Sequence, residues 1–250
     1  MKGKKKKDTG KSSQGFSFHS ILGKVAGWLK KALLFFFIST FLVALLYRFV
    51  PVHYTPLMFI RCCQQKMEGR EMHMKSSWVP LSEISPEMVN AVIVSEDWNF
   101  MSHFGFDFTA IQKASERNKR EGKLYGASTI SQQTAKNVFL WPDRTWIRKG
   151  FEAYFTLLIE ALWNKERIME VYLNVVELGD GIYGVEAASM HYFGKPARRL
   201  SPSQAALLSA TLPSPKKYDP AHPSSYLYRK EKKIVKMMSY HERVDFSKEE

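Results

Sequence analysis

The sequence is short of cysteine, of acid and of strand-like patterning. Its only two cysteines, Cys62 and Cys63, are neighbours. A disulfide between adjacent residues closes a strained ring, so no disulfide framework staples this chain, and cysteine usage names no compartment. There is no cluster of His, Asp and Cys with metal-ligand spacing, so no metal site is read from the sequence. No useful length of chain alternates apolar with polar residues, and no segment repeats; the reading is helical rather than sheet-built. The acid deficit is 24 Asp and Glu against 37 Lys and Arg, a net charge of +13. Such a balance suits anionic partners: nucleic acid, anionic lipid or a phosphorylated substrate. The excess is uneven, however. Residues 1–31 hold nine lysines and one acid, Asp8, a net of +8, which leaves +5 for all the rest. Most of the charge is a tail, and it is no argument for a nucleic-acid-binding core.

What is present is apolar. Of 250 residues, 45% are hydrophobic and 14% aromatic, which excludes a mostly disordered chain and allows one full-sized domain plus an anchor. Residues 32–47, ALLFFFISTFLVALLY, carry no charge, with Lys30 and Lys31 before them and Arg48 after. Sixteen residues fall short of the roughly 20 of a typical span. Phe49, Val50 and Val52 extend the run, and the flanking cations can snorkel. Tyr47-Arg48-Phe49 is too bulky for a signal-peptide cleavage site, so an uncleaved span is expected. The lysine tract argues against a buried core helix, and Ser39 and Thr40 do not make the polar face of an interfacial one. Nine lysines precede the run, and only four basic residues lie in 48–70. The positive-inside rule then places the N-terminus in the cytoplasm. The expected organisation is a basic cytoplasmic tail at 1–31, a transmembrane helix at 32–52, a membrane-proximal linker at 53–80 and an exported domain at 81–245. The tail either touches anionic headgroups or serves as a topology signal only.

Within the exported part the pattern reads as all-α. Ser85-Pro86 opens a helix that delivers Glu96 at its far end. Further helices are expected at 108–120, 129–139, 146–163, 166–175 and 185–192, with Gly179, Gly181 and Gly184 forming a loop. Ser201-Pro202-Ser203-Gln204 is a capping box whose helix runs to Thr211. A last helix covers 225–240.

Four clusters carry chemistry. In Ser95-Glu96-Asp97-Trp98-Asn99-Phe100-Met101-Ser102-His103-Phe104-Gly105 an acid among aromatics ends an apolar helix. Burial there would raise its pKa and suit it to proton transfer, although a helix-end capping role is the alternative. The second cluster runs Gly126-Ala127-Ser128-Thr129-Ile130-Ser131-Gln132-Gln133-Thr134-Ala135-Lys136-Asn137. It opens a helix whose free N–H groups could face an anion, with amides and an ammonium one turn on; a solvated helix face is the plain alternative. The third combines Arg144 with Arg148-Lys149-Gly150-Phe151-Glu152. Cations at a helix start oppose its dipole, so either a bound pyrophosphate or an intrahelical bridge to Glu152 should compensate. The fourth is Lys165-Glu166-Arg167-Ile168-Met169-Glu170-Val171-Tyr172-Leu173-Asn174, in which Tyr172 and Leu173 read as core.

In this order and spacing the clusters resemble the peptidoglycan glycosyltransferases of family 51. They match the patterns E-D-x-x-F-x-x-H-x-G, G-x-S-T-I-x-Q-Q-x-x-K-N, R-K-x-x-E and K-x-x-I-x-E-x-Y-L-N, across residues 81–218. Ser131 stands where many members have Thr. The resemblance implies a mostly α, lysozyme-like fold with a groove beside the bacterial cytoplasmic (inner) membrane, the catalytic domain being periplasmic. It implies lipid II and the growing glycan chain as partners, with undecaprenyl pyrophosphate as leaving group and cell wall or division proteins as candidate associates. By the same resemblance Glu96 is the general base and Glu152 a second acid of the catalytic site. Lys136, Arg144, Arg148 and Lys149 would hold the pyrophosphate, while Ser128, Gln132, Gln133 and Asn137 would line the groove. His103 is expected to be a hydrogen-bonded structural residue. No cofactor is required; a divalent ion would act through the pyrophosphate.

Three other readings compete with this one. A lytic hydrolase would not need the cations at 144–149. Ser214-Pro215-Lys216-Lys217 spells the S-x-x-K of a penicillin-binding protein, but residues 218–250 are too few for a transpeptidase domain. A non-catalytic scaffold would not need both Glu96 and the cations.

Overall fold

The computed structural model describes residues 18–122, 126–143 and 145–246. The chain forms two compact units, Met1–Val43 and Ala44–Glu250. Of the expected basic tail, residues 1–17 lie outside the described residues.

Helix α1 covers Phe18–Tyr47. Its apolar part, Gly23–Tyr47, is 25 residues long, which at 1.5 Å per residue gives about 37 Å. A bilayer's hydrocarbon core is about 30 Å thick, and this is the one helix among the described residues long and apolar enough to cross it. Leu33, Phe35, Phe37 and Phe41 are exposed, as suits side chains solvated by lipid rather than water. Phe49, Val50 and Val52 do not lengthen the helix as expected, since α1 ends at Tyr47. Pro51 accounts for this: it cannot continue a helix and disfavours helical backbone at Val50.

The second unit is built from nine helices among the described residues. Residues 53–80, read as a linker, contain helix α2, Pro56–Met67, capped by the Thr55 side chain and burying Leu57, Met58 and Gln65. Helix α3, Pro86–Glu96, starts at the expected Ser85 cap. Helix α4, Phe108–Glu121, is capped by Asp107 and stopped by Gly122, whose φ is +63°. Helix α5 is Ile130–Phe139, α6 Trp146–Leu162 and α7 Lys165–Val175. Helix α8 is Val185–Phe193, α9 Pro202–Thr211 and α10 Ser225–Met238. The capping box at Ser201 forms as expected.

The three-glycine loop is in fact a hairpin. Strand β1 is Lys75–Ser76, β2 Glu177–Gly179 and β3 Ile182–Tyr183, in sheet order β1-β3-β2. β1 runs parallel to β3 and β2 antiparallel to it. Gly181 makes the turn with φ +69°; a Cβ there would lie 2.4 Å from the His73 carbonyl oxygen. Strands of two and three residues are too short to write an alternating pattern, which is why the all-α reading passed over them.

Two packing groups make the core. Helix α5 lies against α2, α6 and α7, while α9 lies against α3 and α10. Ile93, Ile130, Ile159, Ile168 and Leu173 are fully buried. A charged link crosses the first group: Glu160 on α6 accepts from Ser131 Oγ at 2.5 Å and from Lys165 Nζ at 2.7 Å. The residues at the end of α1 that belong to this unit are also bonded to it. Trp163 Nε1 donates to the Ala44 carbonyl at 2.8 Å, and Arg167 donates to the carbonyls of Tyr47 and Val50. These donors meet carbonyls at the open end of the helix and just beyond it.

Gly105 shows how tightly the site region closes. Its φ is +77°, and a Cβ would lie 2.7 Å from Thr156 Cγ2 and 3.2 Å from Glu160 Cγ. Its carbonyl accepts the Thr129 hydroxyl at 2.6 Å. Gly105→Ala should therefore destabilise the domain by about 2–4 kcal/mol, from left-handed backbone plus overpacking. Urea unfolding in detergent measures this; an unchanged midpoint would remove the packing role.

Candidate active site

Glu96 is the last residue of α3, half-buried. Burial pushes its carboxyl above the ordinary 4.5; a hydrogen bond from Gln133 and the charges of Lys230 and Lys136 work against that, and Asp97 adds to it. Gln133 Nε2, on α5, donates to Glu96 Oε2 at 2.8 Å. The other end of that amide, Oε1, accepts from the Tyr172 hydroxyl on α7 at 3.2 Å. Tyr172 is fully buried, and burial, then Glu96 and Asp97, push its phenol well above the usual range.

Asp97 is the cap residue of α3 and is buried. Its carboxylate accepts from His103 Nε2 at 2.9 Å and from the Ile130 backbone N–H at 2.9 Å. Thr129 and Gln132 close a reciprocal capping box on the same helix start. The N-terminus of α5 was read as one that could face an anion, with a solvated face as the alternative; two of its first-turn N–H groups are met from within the protein, that of Ile130 by the Asp97 carboxylate and that of Gln132 by the Thr129 hydroxyl. Gln132 is buried and its Oε1 accepts the Thr129 N–H, so it works as a cap.

Eight of the ten sequence-derived residues line three clefts. Gln133, Lys136, Asn137 and Arg148 line one of about 460 Å³, whose opposite wall is residues 212–217. Glu96 and Ser128 line a second, of about 470 Å³, with Trp98 and Asn99. Ser128 also lines a third, of about 610 Å³, with Gln132, Lys149 and residues of α4. Gln133 ties Glu96 to the first cleft. Arg144 lies outside the described residues.

The cations are partly compensated from within. Glu152 is 3% exposed. It accepts from Arg148 Nη1 at 2.6 Å and from Lys149 Nζ. The intrahelical bridge weighed from sequence is thus formed, and doubly. Lys136 is pushed down by burial; Glu152 opposes this, Arg148 and Lys149 reinforce it, and Glu96 opposes it.

Several residues were not found from sequence. Lys216 and Lys217 wall the first cleft together with Arg61 and Glu177. The Ser214-Pro215-Lys216-Lys217 run, dismissed as a chance motif, is that wall. Glu177 is buried, burial raises its carboxyl, and Arg61 Nε stands 3.5 Å away. Lys230 acts on Glu96 from α10, 134 positions along the chain, and no local pattern marks it.

A family model described as Transglycosylase matches residues 64–239. The chain is 54% identical over 208 residues to a biosynthetic peptidoglycan transglycosylase of Bdellovibrio bacteriovorus, covering 83% of each chain. It is 51% identical over 216 residues to a protein of that name from Bacteroides thetaiotaomicron, covering 86% of this chain and 87% of that one. Against another of that name from Pseudomonas fluorescens the identity is 48% over 204 residues, covering 82% and 85%.

Proposed function

Since the chain belongs to the transglycosylase family, whose activity is glycosyl transfer in peptidoglycan synthesis, we propose that it polymerises lipid II into β-1,4-linked glycan and releases undecaprenyl pyrophosphate. The observation that carries this is the joining of Glu96, through Gln133, to a cleft lined by Lys136 and Arg148. A sugar hydroxyl needs a base, and a departing pyrophosphate needs cations.

Glu96 takes the proton from the acceptor sugar's 4-hydroxyl. That oxygen bonds to the donor's anomeric carbon as the bond from that carbon to the pyrophosphate oxygen breaks, and the electron pair leaves with the pyrophosphate. An α-linked donor becomes a β-linked product in one displacement, which one base serves without a covalent intermediate. Lys136, Arg148 and Lys149, with Arg144, neutralise the departing anion, a large contribution in such reactions. Burial weakens Lys136's hold on its proton; an arriving pyrophosphate restores it. Glu152 holds Arg148 and Lys149 in place. Ser128, Gln132, Gln133 and Asn137 shape the groove, and a divalent ion would enter with the pyrophosphate.

Helix α1 fits a single-pass anchor in the bacterial cytoplasmic membrane, with the lysine-rich end in the cytoplasm and the domain in the periplasm. The division expected from the sequence, a tail at 1–31, a span at 32–52, a junction at 53–80 and a transferase domain at 81–245, accompanies this reading with one change: the helical part of the span is Gly23–Tyr47. The growing glycan chain is the second substrate, and cell wall or division proteins are the natural associates.

The test is to incubate the detergent-solubilised protein with labelled lipid II and resolve products by size. Lysozyme-sensitive polymer with release of the polyprenyl pyrophosphate is expected. No polymer, together with cleavage of preformed glycan, would make the protein a hydrolase.

A further inference from the structure

Three helices contribute to one line of side chains that ends at the proposed base. The Tyr172 hydroxyl on α7 donates to Gln133 Oε1 on α5, and Gln133 Nε2 donates to Glu96 Oε2 on α3. We infer that Tyr172 is a positioning residue for the transfer: it fixes the Gln133 amide with its NH₂ toward Glu96, and so favours the ionised carboxylate that accepts the proton. This rests on reading Glu96 as the base.

An amide has two unlike ends, an acceptor oxygen and a donor nitrogen. The line therefore has two arrangements. With Glu96 ionised, the phenol donates to the amide oxygen and the amide nitrogen donates to the carboxylate. With Glu96 protonated, the amide can turn, so that the acid donates to its oxygen and its NH₂ faces the phenol oxygen. The phenol proton then needs another acceptor. Tyr172 is 0% exposed, and Gln133 is its hydroxyl's one hydrogen-bond partner among the described residues. The turned arrangement leaves a buried O–H unpaired, which is costly. Burial keeps the phenol protonated, so it always has that proton to place. The phenol thus weights the line toward ionised Glu96, against the burial that favours the neutral acid.

The other charges around Glu96 come from several elements. Lys136 on α5 and Lys230 on α10 attract the carboxylate, and Asp97 beside it repels it. Lys136 is itself acted on by Glu152, Arg148 and Lys149 of α6. Helix α9, which packs on α3, carries no ionisable side chain. Glu96 and Asp97 are the charges acting on Tyr172. None of these fixes which way the Gln133 amide faces; the phenol does.

Tyr172→Phe keeps the ring and removes the hydroxyl. The acid limb of the kcat/KM–pH profile should move up by about 0.5–1 pH unit, the weight of one hydrogen bond, while the high-pH plateau is kept. A packing defect would instead lower the rate at every pH. The direct readout is ¹³C-carboxyl NMR titration of Glu96, assigned by its loss in Glu96→Gln, which should shift with the rate. Tyr183→Phe removes the hydroxyl of another fully buried tyrosine and should leave that titration in place. In a Gln133→Ala background the effect of Tyr172→Phe should vanish, because it acts through Gln133. Should Tyr172→Phe not fold, Gln133→Ala alone should still raise the titration. An unmoved Glu96 titration in folded Tyr172→Phe, or in Gln133→Ala, overturns the inference, as does an equal shift in the two backgrounds. A titration that shifts while the rate profile does not would leave the line standing and remove Glu96 as the base.

Discussion

Glu96→Gln should abolish polymerisation and make the domain more stable at neutral pH. General-base catalysis contributes about 10²–10⁴-fold, and glutamine keeps the volume and an acceptor for the Gln133 N–H while removing the basic oxygen. The stability effect follows from linkage. The folded Glu96 carboxyl sits above its ordinary 4.5 because of burial, so the native state binds its proton more tightly than the unfolded chain does. Its contribution is fully present below about 4.5 and is lost as pH rises through the raised folded value. At neutral pH the wild type therefore carries a buried carboxylate at a cost that Glu96→Gln escapes, and the two proteins should converge in acid. Thermal melts across pH 4–8, run beside the lipid II assay, check both halves. Near-normal turnover by Glu96→Gln would end its assignment as base; a melting difference independent of pH would end the account of its burial.

Glu152→Ala should unfold the domain more easily and lose activity together, whereas Lys149→Ala should lose activity alone. Arg148 is 9% exposed and its bridge to Glu152 is 2.6 Å long. Removing one partner of such a buried pair costs about 3–5 kcal/mol, because the other charge is left without compensation. Lys149's side chain is 42% exposed, so water already screens its half of the contact and its loss costs little stability. Its ammonium is still one of the groups proposed to meet the leaving pyrophosphate, and a donor of that kind is worth about 10²-fold or more in rate. Urea unfolding and initial rates on the two variants separate these roles. Equal stability losses would show that Lys149, too, is chiefly a structural partner.

The helices of the domain were legible where their signals are local. Ser85-Pro86 and Ser201-Pro202-Ser203-Gln204 each write a boundary within a few residues, and each boundary is observed. Helix α2 was missed because its buried set, Leu57, Met58 and Gln65, is too sparse to make a stripe. The hairpin at 177–183 was missed because its strands are shorter than the period that would reveal them. The site divides in the same way. Arg148 and Glu152 share one helical turn, and their bridge was visible as a spacing. The closure of α5 was only half visible: Thr129 and Gln132 are local, but the Asp97 carboxylate that takes the Ile130 N–H comes from 33 residues away. Tyr172 read as core, and it is core. Its hydroxyl's task appears only when α7 is laid against α5.

The placement of α3 between early and late parts of the chain has a consequence for how the enzyme comes into being. Its partners α9 and α10 are the last two helices among the described residues, reached through contacts such as Ser95 Oγ to Ser209 Oγ and Asn90 Nδ2 to the Met238 carbonyl, 114 and 148 positions apart. Contacts of such sequence separation close late, because the loop between them must be ordered first. During synthesis Glu96 emerges well before Lys230 and the wall of α9, which reach it only after residues 202–230 have followed. A nascent or C-terminally clipped chain would carry the motif residues without the enclosure that sets their acidity, and catalytic competence would arrive in a single late step.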